Sequence, residues 1–240
     1  MKAIILAAGV GRRLSPITDT TPKCLIQVGG KTILERYFEN FERLGIDSAV
    51  IVVGHLKEKI MAAAGAEWHG VKISYLNNER FEEGNIFTVH LASQAFDDDI
   101  IMMDADVIFH PGLLERQIKS PNANCYLMDE GFVEHDGEEC KVAALNGRVV
   151  ANNRRITKKY DRVGEGLGFL KLSLGTALEL KKIVAEFIGR GETTKEYEDA
   201  LEILLEREVV GFEPVGDLPW TEIDFADDIP KAARIAAQYE

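Results

Sequence analysis

Hydrophobic and polar positions in the first hundred residues follow two alternating patterns. Short apolar runs are typical of strands buried on both faces of a sheet, whereas apolar residues spaced three and four apart indicate one face of a helix. The runs lie at 2–6, 49–53, 71–76 and 100–103, and the helical patterns lie at 32–44, 56–64 and 85–95. This order predicts an α/β fold with a Rossmann-like, mostly parallel and doubly wound sheet flanked by helices.

The first predicted helix has signals at both of its ends. Thr32 and Glu35 have the spacing of a capping box, in which each side chain bonds the backbone of the other. Gly45 follows the last apolar position, and glycine is favoured immediately after a helix. The helix is therefore expected to end at Leu44.

The second half is less regular and predicts a small β-rich lobe. Asn146-Gly147 separates two apolar runs, 142–145 and 148–151, which is a strong hairpin signal. The remaining patterns predict helices at 177–188 and 195–207, strands at 209–213 and 220–223, and a last helix near Asp227 with Pro230 in its first turn. Because no linker interrupts the 240 residues, we expect a single domain over 1–240.

Composition narrows the class of protein. Hydrophobic residues make up 46% and charged residues 28%, which is ordinary for a globular chain, and no apolar stretch is long enough to insert into a membrane. The net charge of −12 argues against a nucleic-acid-binding protein, which would present a basic face. Cys24, Cys125 and Cys140 lack the spacing of a metal site and are expected to be reduced thiols in a cytoplasmic protein.

The segment LAAGVGRRLSP, residues 6–16, concentrates glycine and positive charge after the first strand. A dinucleotide-binding fingerprint needs a third glycine where Leu14 stands. A P-loop ending at Gly30-Lys31-Thr32 needs a glycine where Leu25 stands. Both interpretations fail for this reason, and a plain turn leaves the basic residues without a role.

Backbone amides and cations at the end of a strand suit a small polyanion. Gly9 and Gly11 let phosphate oxygens approach the backbone closely. Arg13 offers a planar fork of donors, and Lys23 adds a point charge. In the first 23 residues the only acidic side chain is Asp19. These residues favour a site for the phosphates of a nucleoside triphosphate.

Two acidic motifs lie far apart along the chain. The run IIMMDAD, residues 100–106, is a strand-like segment that ends in Asp104 and Asp106. The motif WTEID contributes Glu222 and Asp224 before the last helix. Ligands gather at the carboxyl ends of parallel strands, and if the strand continues only one of Asp104 and Asp106 faces a ligand. Simple strand-ending or helix-capping roles remain the alternative.

The chain resembles the sugar-nucleotide-type nucleotidyltransferases. Its segments LAAGVGRRLSP and TPKCLIQVGGKTILE follow the family signature LAAGxGxRLxP…PKxLxxVxGxPxLE, with Arg12 where serine or threonine is usual. WTEID, together with NNERFEEGNIFTVHLA at residues 77–92, is similar to bacterial phosphocholine, inositol-1-phosphate and phosphonate cytidylyltransferases.

The resemblance implies a reaction and a set of site residues. The reaction is transfer of CMP from CTP to a small phosphorylated alcohol or phosphonate, such as phosphocholine, inositol 1-phosphate or 2-aminoethylphosphonate, with Mg²⁺ as cofactor and release of pyrophosphate. Residues 1–110 form the nucleotide-binding part, and 111–240 form the acceptor-binding part with the closing metal motif. The implied residues are catalytic Arg13 and Lys23; nucleotide-binding Leu6, Ala7, Ala8, Gly9, Gly11, Arg12, Asn85 and Asp104; metal-binding Asp106, Glu222 and Asp224; and acceptor-binding Lys141, Glu165 and Gly166.

Several alternatives stay open on the sequence. Asn85 either caps its own helix or bonds a substrate, Lys141 either is solvated or meets an acceptor phosphate, and Glu165 suits a cationic head group or a hydroxyl. The alternative functions are a sugar-1-phosphate nucleotidyltransferase that uses UTP, dTTP or GTP, and a nucleotide-sensing domain without catalysis. Small-molecule substrates are the expected partners, without nucleic acid or membrane insertion, and a homodimer is left open.

Overall fold

The computed structural model describes residues 1–133 and 139–239. The helices are α1 Ile33–Leu44, α2 Lys57–Ala64, α3 Ile86–Ala92, α4 Pro111–Lys119, α5 Leu174–Gly189, α6 Tyr197–Arg207 and α7 Asp228–Ala236. The strands are β1 Lys2–Ala7, β2 Gln27–Val28, β3 Lys31–Thr32, β4 Ser48–Val53, β5 Glu67–Trp68, β6 Val71–Asn77, β7 Ile100–Asp104, β8 Val107–Phe109, β9 Cys125–Asp129, β10 Lys141–Leu145, β11 Arg148–Asn153, β12 Arg162–Leu172, β13 Gly211–Pro214 and β14 Trp220–Glu222.

Ten of the described strands form one mixed sheet. Its path runs β11-β10-β12-β7-β1-β4-β6-β5; β9 pairs with β12, and β13 pairs with β9. The central strands β7, β1, β4 and β6 are parallel, so their carboxyl ends lie at one edge of the sheet. This arrangement confirms the predicted Rossmann-like, doubly wound sheet.

The long strand β12 connects this parallel centre to an antiparallel extension. Phe169 of β12 pairs with Met103 of β7, and Glu165, further along the same strand, pairs with Lys141 of β10. β9 also pairs with β12 in antiparallel fashion. The predicted β-rich lobe is therefore continuous with the main sheet.

Helices cover both faces of the sheet, and each face buries its own hydrophobic core. Along β1 the side chains alternate, so Ala3 and Ile5 pack on the face covered by α1, α4 and α7. Ile4 packs on the opposite face with buried residues of α3, α5 and α6. Burial of apolar surface stabilises a fold by about 25 cal/mol per Å². The two cores hold the strands in place, and the site lies at the strands' carboxyl ends.

Local signals account for both ends of α1 and for the start of α5. The Thr32–Glu35 capping box is present, and Gly45 takes a left-handed conformation after α1. α5 begins at Leu174 rather than at 177, because Ser173 caps its first turn. Neither α4 nor the full length of β12 was predicted. Over the described ranges no helix combines the length and apolar character needed to cross a membrane.

Candidate active site

The glycine loop follows β1 at the carboxyl edge of the parallel strands. Gly11 has a φ of +67°, and a Cβ there would lie 3.0 Å from both Lys23 Cγ and Thr18 Cγ2. The Thr18 hydroxyl donates to the Gly11 carbonyl at 2.9 Å, which holds the loop in this shape. At Gly9 a Cβ would meet nothing within 4 Å, so the protein itself does not require glycine there.

Two alanine substitutions separate the roles of these glycines. Gly11→Ala is expected to lower the free energy of unfolding by about 1–3 kcal/mol, because a side chain would be strained and crowded. Gly9→Ala is expected to leave stability unchanged and to raise the KM for the nucleotide at least about tenfold. Chemical denaturation and steady-state kinetics measure the two effects. Loss of stability in Gly9→Ala, or unchanged KM, would contradict the ligand-facing role.

Lys23 lies between two carboxylates from opposite halves of the chain. Its Nζ donates to Asp106 Oδ2 at 2.9 Å and to Asp224 Oδ1 at 2.7 Å. Burial alone lowers the pKa of a lysine, but the charges and hydrogen bonds of the two aspartates outweigh burial and raise the pKa of Lys23. Lys23 therefore stays charged, and the two carboxylates are close enough to share one cation.

Arg13 joins the same cluster. Its Nη2 donates to Asp224 Oδ2 at 2.9 Å, and its guanidinium lies 5.3 Å from the ring centre of Phe225. Arg12 turns elsewhere, with its Nη2 3.8 Å from Glu82 Oε1 and both side chains exposed. Of the two neighbouring arginines, Arg13 is thus the one that lies against the carboxylates.

Two cavities meet at this cluster. The loop cavity, about 420 Å³, is lined by the glycine loop and the acidic end of β7. The lobe cavity, about 660 Å³, is lined by residues of β9, β12 and the start of α6. The residues that line both are Arg13, Asp104, Tyr197, Glu198, Glu222 and Asp224.

The structure brings most of the sequence-predicted residues to the loop cavity. The predicted residues that line it are Leu6, Ala7, Gly9, Gly11, Arg12, Arg13, Lys23, Asn85, Asp104, Asp106, Glu222 and Asp224. Ala8 is buried behind the cavity, and its carbonyl accepts a hydrogen bond from the His55 amide at 3.1 Å. Ala8 therefore supports the loop from within the fold.

Asp104 and Asp106 both face the loop cavity, which corrects the expectation that only one would. β7 ends at Asp104 and the chain bends before β8, so the alternation of a continuous strand does not apply. Asp104 Oδ2 accepts a hydrogen bond from the Tyr197 hydroxyl at 3.1 Å. Gly168, with φ +69°, packs against Asp104, and a Cβ there would overlap the carboxylate.

The junction carries more negative charge than its cations neutralise. Burial, followed by the charges of Asp106 and Asp224, raises the pKa of Glu222 well above its ordinary value. Burial, followed by the charges of Asp106 and Glu198, raises the pKa of Asp104 in the same way. Such crowding of carboxylates favours the binding of a further cation.

The predicted acceptor residues are only partly together. Glu165 and Gly166 line the lobe cavity. Lys141 pairs with Glu165 across β10 and β12, but it is not among the described residues that line either cavity. The structure thus brings two of the three predicted residues to one wall of the lobe cavity.

Glu165 makes stability depend on pH. Burial, followed by the charges of Glu139 and Asp129, raises its pKa from 4.5 to about 7. Between these values the folded protein binds more protons than the unfolded chain, so the free energy of unfolding falls as the pH rises. The free energy of unfolding of Glu165→Gln is expected to fall less than that of wild type between about pH 5 and about pH 7.5. Chemical denaturation at both pH values, with the exposed-site variant Glu206→Gln as control, measures this; parallel curves for wild type and Glu165→Gln would contradict it.

The helix predicted at 195–207 is present as α6, but sequence reasoning did not place its first turn at the site. Asn85 does not cap α3; its Oδ1 accepts a hydrogen bond from the Tyr197 amide at 2.5 Å. The Gly84 amide donates to the Thr193 carbonyl at 3.0 Å, and a Cβ at Gly84 would overlap the Lys195 carbonyl. These contacts bring Tyr197 and its neighbour to the junction, for which the sequence offers only a helical pattern.

A parallel sheet with a glycine loop, clustered cations and paired carboxylates at its carboxyl edge defines a nucleotide-binding α/β protein of the nucleotidyltransferase class. The chain belongs to the MobA-like NTP transferase family, whose model matches residues 3–158. The family match confirms the predicted resemblance to nucleotidyltransferases.

Curated relatives of the chain include proteins whose names refer to different nucleotides. The chain is 37% identical over 125 residues to the CMP-5′-(3-aminopropyl)phosphonate synthase of Streptomyces rubellomurinus, across 52% of this chain and 20% of that protein. It is 35% identical over 133 residues to the UTP–glucose-1-phosphate uridylyltransferase AglF of Haloferax volcanii, across 54% of each. The chain thus spans about a fifth and about half of these relatives.

Solved structures that match nearly the whole chain include a cytidylyltransferase. The CTP:phosphocholine cytidylyltransferase LicC of Streptococcus pneumoniae aligns with a TM-score of 0.73 and 25% identity, covering 98% of both chains. The similarity therefore extends through the antiparallel extension and the last helix as well as the parallel centre.

Proposed function

We propose that the protein is a Mg²⁺-dependent cytidylyltransferase that transfers CMP from CTP to a small phosphorylated alcohol or phosphonate and releases pyrophosphate. The observation that carries the proposal is the position of Lys23. It lies in the loop cavity between Asp106 and Asp224, and Asp224 also lines the lobe cavity at the junction of the two. Such a junction gives a nucleotide and an acceptor a common point at which to react.

The loop cavity suits the triphosphate. Gly9 has an open backbone face, and Gly11 shapes the loop around Lys23. Backbone amides at the end of a strand and nearby cations are the donors that phosphate oxygens require. Arg13 and Lys23 supply the cations.

The acidic residues supply carboxylate ligands of the kind that a magnesium ion binds. The carboxylates of Asp106 and Asp224 contact the same ammonium group, and Glu222 adds a crowded third carboxylate. No group of three His, Cys, Asp or Glu side chains within the described ranges forms a metal site by itself. Mg²⁺ takes a few carboxylates and completes its shell with phosphate oxygens and water, and when bound it would neutralise charge on the phosphates.

The chemical step needs positioning and charge rather than a general base. An oxygen of the acceptor's phosphate or phosphonate, already anionic, forms a bond to the α-phosphorus of CTP. The bond from that phosphorus to the bridging oxygen of the β-phosphate breaks, and pyrophosphate leaves with the electron pair. Lys23 and Arg13 stabilise the charge that develops on the leaving group.

Two observations support CTP over other nucleotides. LicC shares 25% sequence identity with this chain, and the synthase from Streptomyces is named for a CMP-bearing product. The similarity to AglF keeps a UTP-dependent sugar-1-phosphate transferase as the second candidate. A single domain over 1–240, a cytoplasmic location and a homodimer stay predictions.

A substrate matrix tests the proposal. Pyrophosphate release is measured with Mg²⁺ and each of CTP, UTP, dTTP, ATP and GTP, crossed with phosphocholine, inositol 1-phosphate, 2-aminoethylphosphonate, glycerol phosphate and sugar 1-phosphates. We expect release with CTP and an acceptor that is not a sugar. Release confined to UTP or dTTP with a hexose 1-phosphate would replace the proposal by the second candidate.

A further inference from the structure

Glu198 is a buried carboxylate at the junction of the loop cavity and the lobe cavity. Its Oε2 has almost no exposed surface and accepts no hydrogen bond from any residue in the described ranges. A buried carboxylate oxygen without a donor destabilises the folded protein, so such atoms are uncommon outside functional sites. This oxygen is therefore suited to a donor that a substrate brings.

The position of Glu198 is fixed from the side of the loop cavity. It lies in the first turn of α6, next to Tyr197, whose amide donates to Asn85 Oδ1. Asn85 also hydrogen-bonds the Glu198 side chain. The carboxylate is thus oriented by its first contact, while Oε2 is left for another partner.

Two other carboxylates of the lobe cavity, those of Asp129 and Asp228, have donors within the protein. Asp129 Oδ2 accepts a hydrogen bond from Trp220 Nε1 at 2.8 Å. Asp228 Oδ2 accepts one from the Phe225 amide at 2.7 Å. Both carboxylates accept hydrogen bonds from the protein itself, whereas Glu198 Oε2 has no donor among the described residues.

The lobe cavity as a whole favours a cation beside the anionic end of an acceptor. Among the described residues that line it, ten carry a carboxylate and three, Arg13, Arg154 and Lys231, carry a cation, so negative charge is in excess. At the junction Arg13 faces both cavities and suits a phosphate or phosphonate group. An acceptor with an anionic group at Arg13 and a positive group a few bonds away complements this distribution.

We propose that Glu198 is a specificity-determining residue that accepts a hydrogen bond from a protonated primary amine on a short aminoalkyl phosphate or phosphonate acceptor. The inference rests on the proposed function. A primary ammonium offers N–H donors together with charge, and a charge-assisted hydrogen bond is roughly twice as strong as a neutral one. A trimethylammonium group has no N–H donor, and a hydroxyl has no charge.

The test compares acceptors in wild type and Glu198→Gln. We expect wild type to prefer 2-aminoethylphosphonate to phosphocholine and to glycerol phosphate. Glu198→Gln is expected to lower kcat/KM for 2-aminoethylphosphonate by about 10- to 100-fold, mainly through KM. The KM for CTP is expected to stay within about threefold. Glu206→Gln, on the exposed side of the same helix, is the control and is expected to behave as wild type.

Two kinetic outcomes would overturn the proposal while leaving the proposed function intact. One is CMP transfer by wild type that favours phosphocholine or glycerol phosphate. The other is a Glu198→Gln defect of equal size for every acceptor or for CTP, which would assign Glu198 to the nucleotide or to the fold.

Calorimetry separates the proposal from a failure of the proposed function. 2-Aminoethylphosphonate is titrated into protein saturated with Mg²⁺ and a non-reactive α,β-methylene analogue of CTP. Binding that weakens at least about tenfold in Glu198→Gln supports the role of Glu198 even if no turnover is found. Absent binding by wild type, or equal binding by the variant, overturns it.

Discussion

Asp106→Asn is expected to lower kcat/KM for nucleotidyl transfer by at least about a thousandfold while the fold stays intact. Asparagine has nearly the same shape, but it removes one of the two charges that surround the Lys23 ammonium. The remaining carboxylate of Asp224 binds a divalent cation more weakly by itself. Asp106→Asn is therefore expected both to weaken binding of the divalent cation and to disturb the orientation of Lys23.

The measurement is steady-state kinetics across a range of Mg²⁺ concentrations, together with thermal unfolding. The Mg²⁺ concentration for half-maximal rate is expected to rise in Asp106→Asn. Asp227→Asn is a matched control, because Asp227 precedes α7 without a side-chain capping bond. Comparable activity in wild type and Asp106→Asn would remove Asp106 from the metal site and leave the acidic cluster without its proposed role.

Lys23→Ala is expected to lower kcat by about a hundredfold or more, with a smaller change in KM. The ammonium is positioned in the loop cavity by two carboxylates, and its pKa is raised, so it is present as a fixed charge at every relevant pH. A fixed charge stabilises a leaving pyrophosphate more than it stabilises the bound nucleotide.

The same substitution removes the cation that holds Asp106 and Asp224 together. Without metal, the free energy of unfolding of Lys23→Ala is expected to be lower by about 1–3 kcal/mol, and Mg²⁺ restores part of it. Lys31→Ala is the control, because Lys31 is an exposed lysine paired with Glu39. A change confined to KM would recast Lys23 as a binding residue rather than a catalytic one.

The parallel half of the fold and most of the loop cavity were predictable because their signals are local. The apolar run of β1, the capping box of α1 and the glycine loop each lie within a few consecutive residues. The family signature identifies Lys23. In the structure it is held by Asp106 and Asp224, which lie 83 and 201 residues further along the chain. Such distant pairs follow from the order of strands in the sheet, which periodicity alone does not determine.

The position of the first turn of α6 at the site was not predictable, because it depends on contacts between distant residues rather than on local signals. Tyr197 and Glu198 belong to an ordinary helical pattern, and their position depends on Asn85, which is more than a hundred residues earlier. Asp104 and Asp106 were expected to face opposite ways if the strand continued, but β7 ends at Asp104 and both side chains line the loop cavity. Sequence periodicity assumes a continuous element, so it fails where an element ends at a site.

The most direct test of the account follows the phosphates of CTP separately. Wild-type protein is incubated with Mg²⁺ and acceptor, once with CTP labelled at the α-phosphate and once with CTP labelled at the γ-phosphate, and the products are separated. The account predicts that the α label enters a product in which CMP is joined to the acceptor and that the γ label leaves in pyrophosphate. Recovery of the γ label in orthophosphate or on the acceptor would contradict nucleotidyl transfer and, with it, the roles proposed for Lys23 and Asp106.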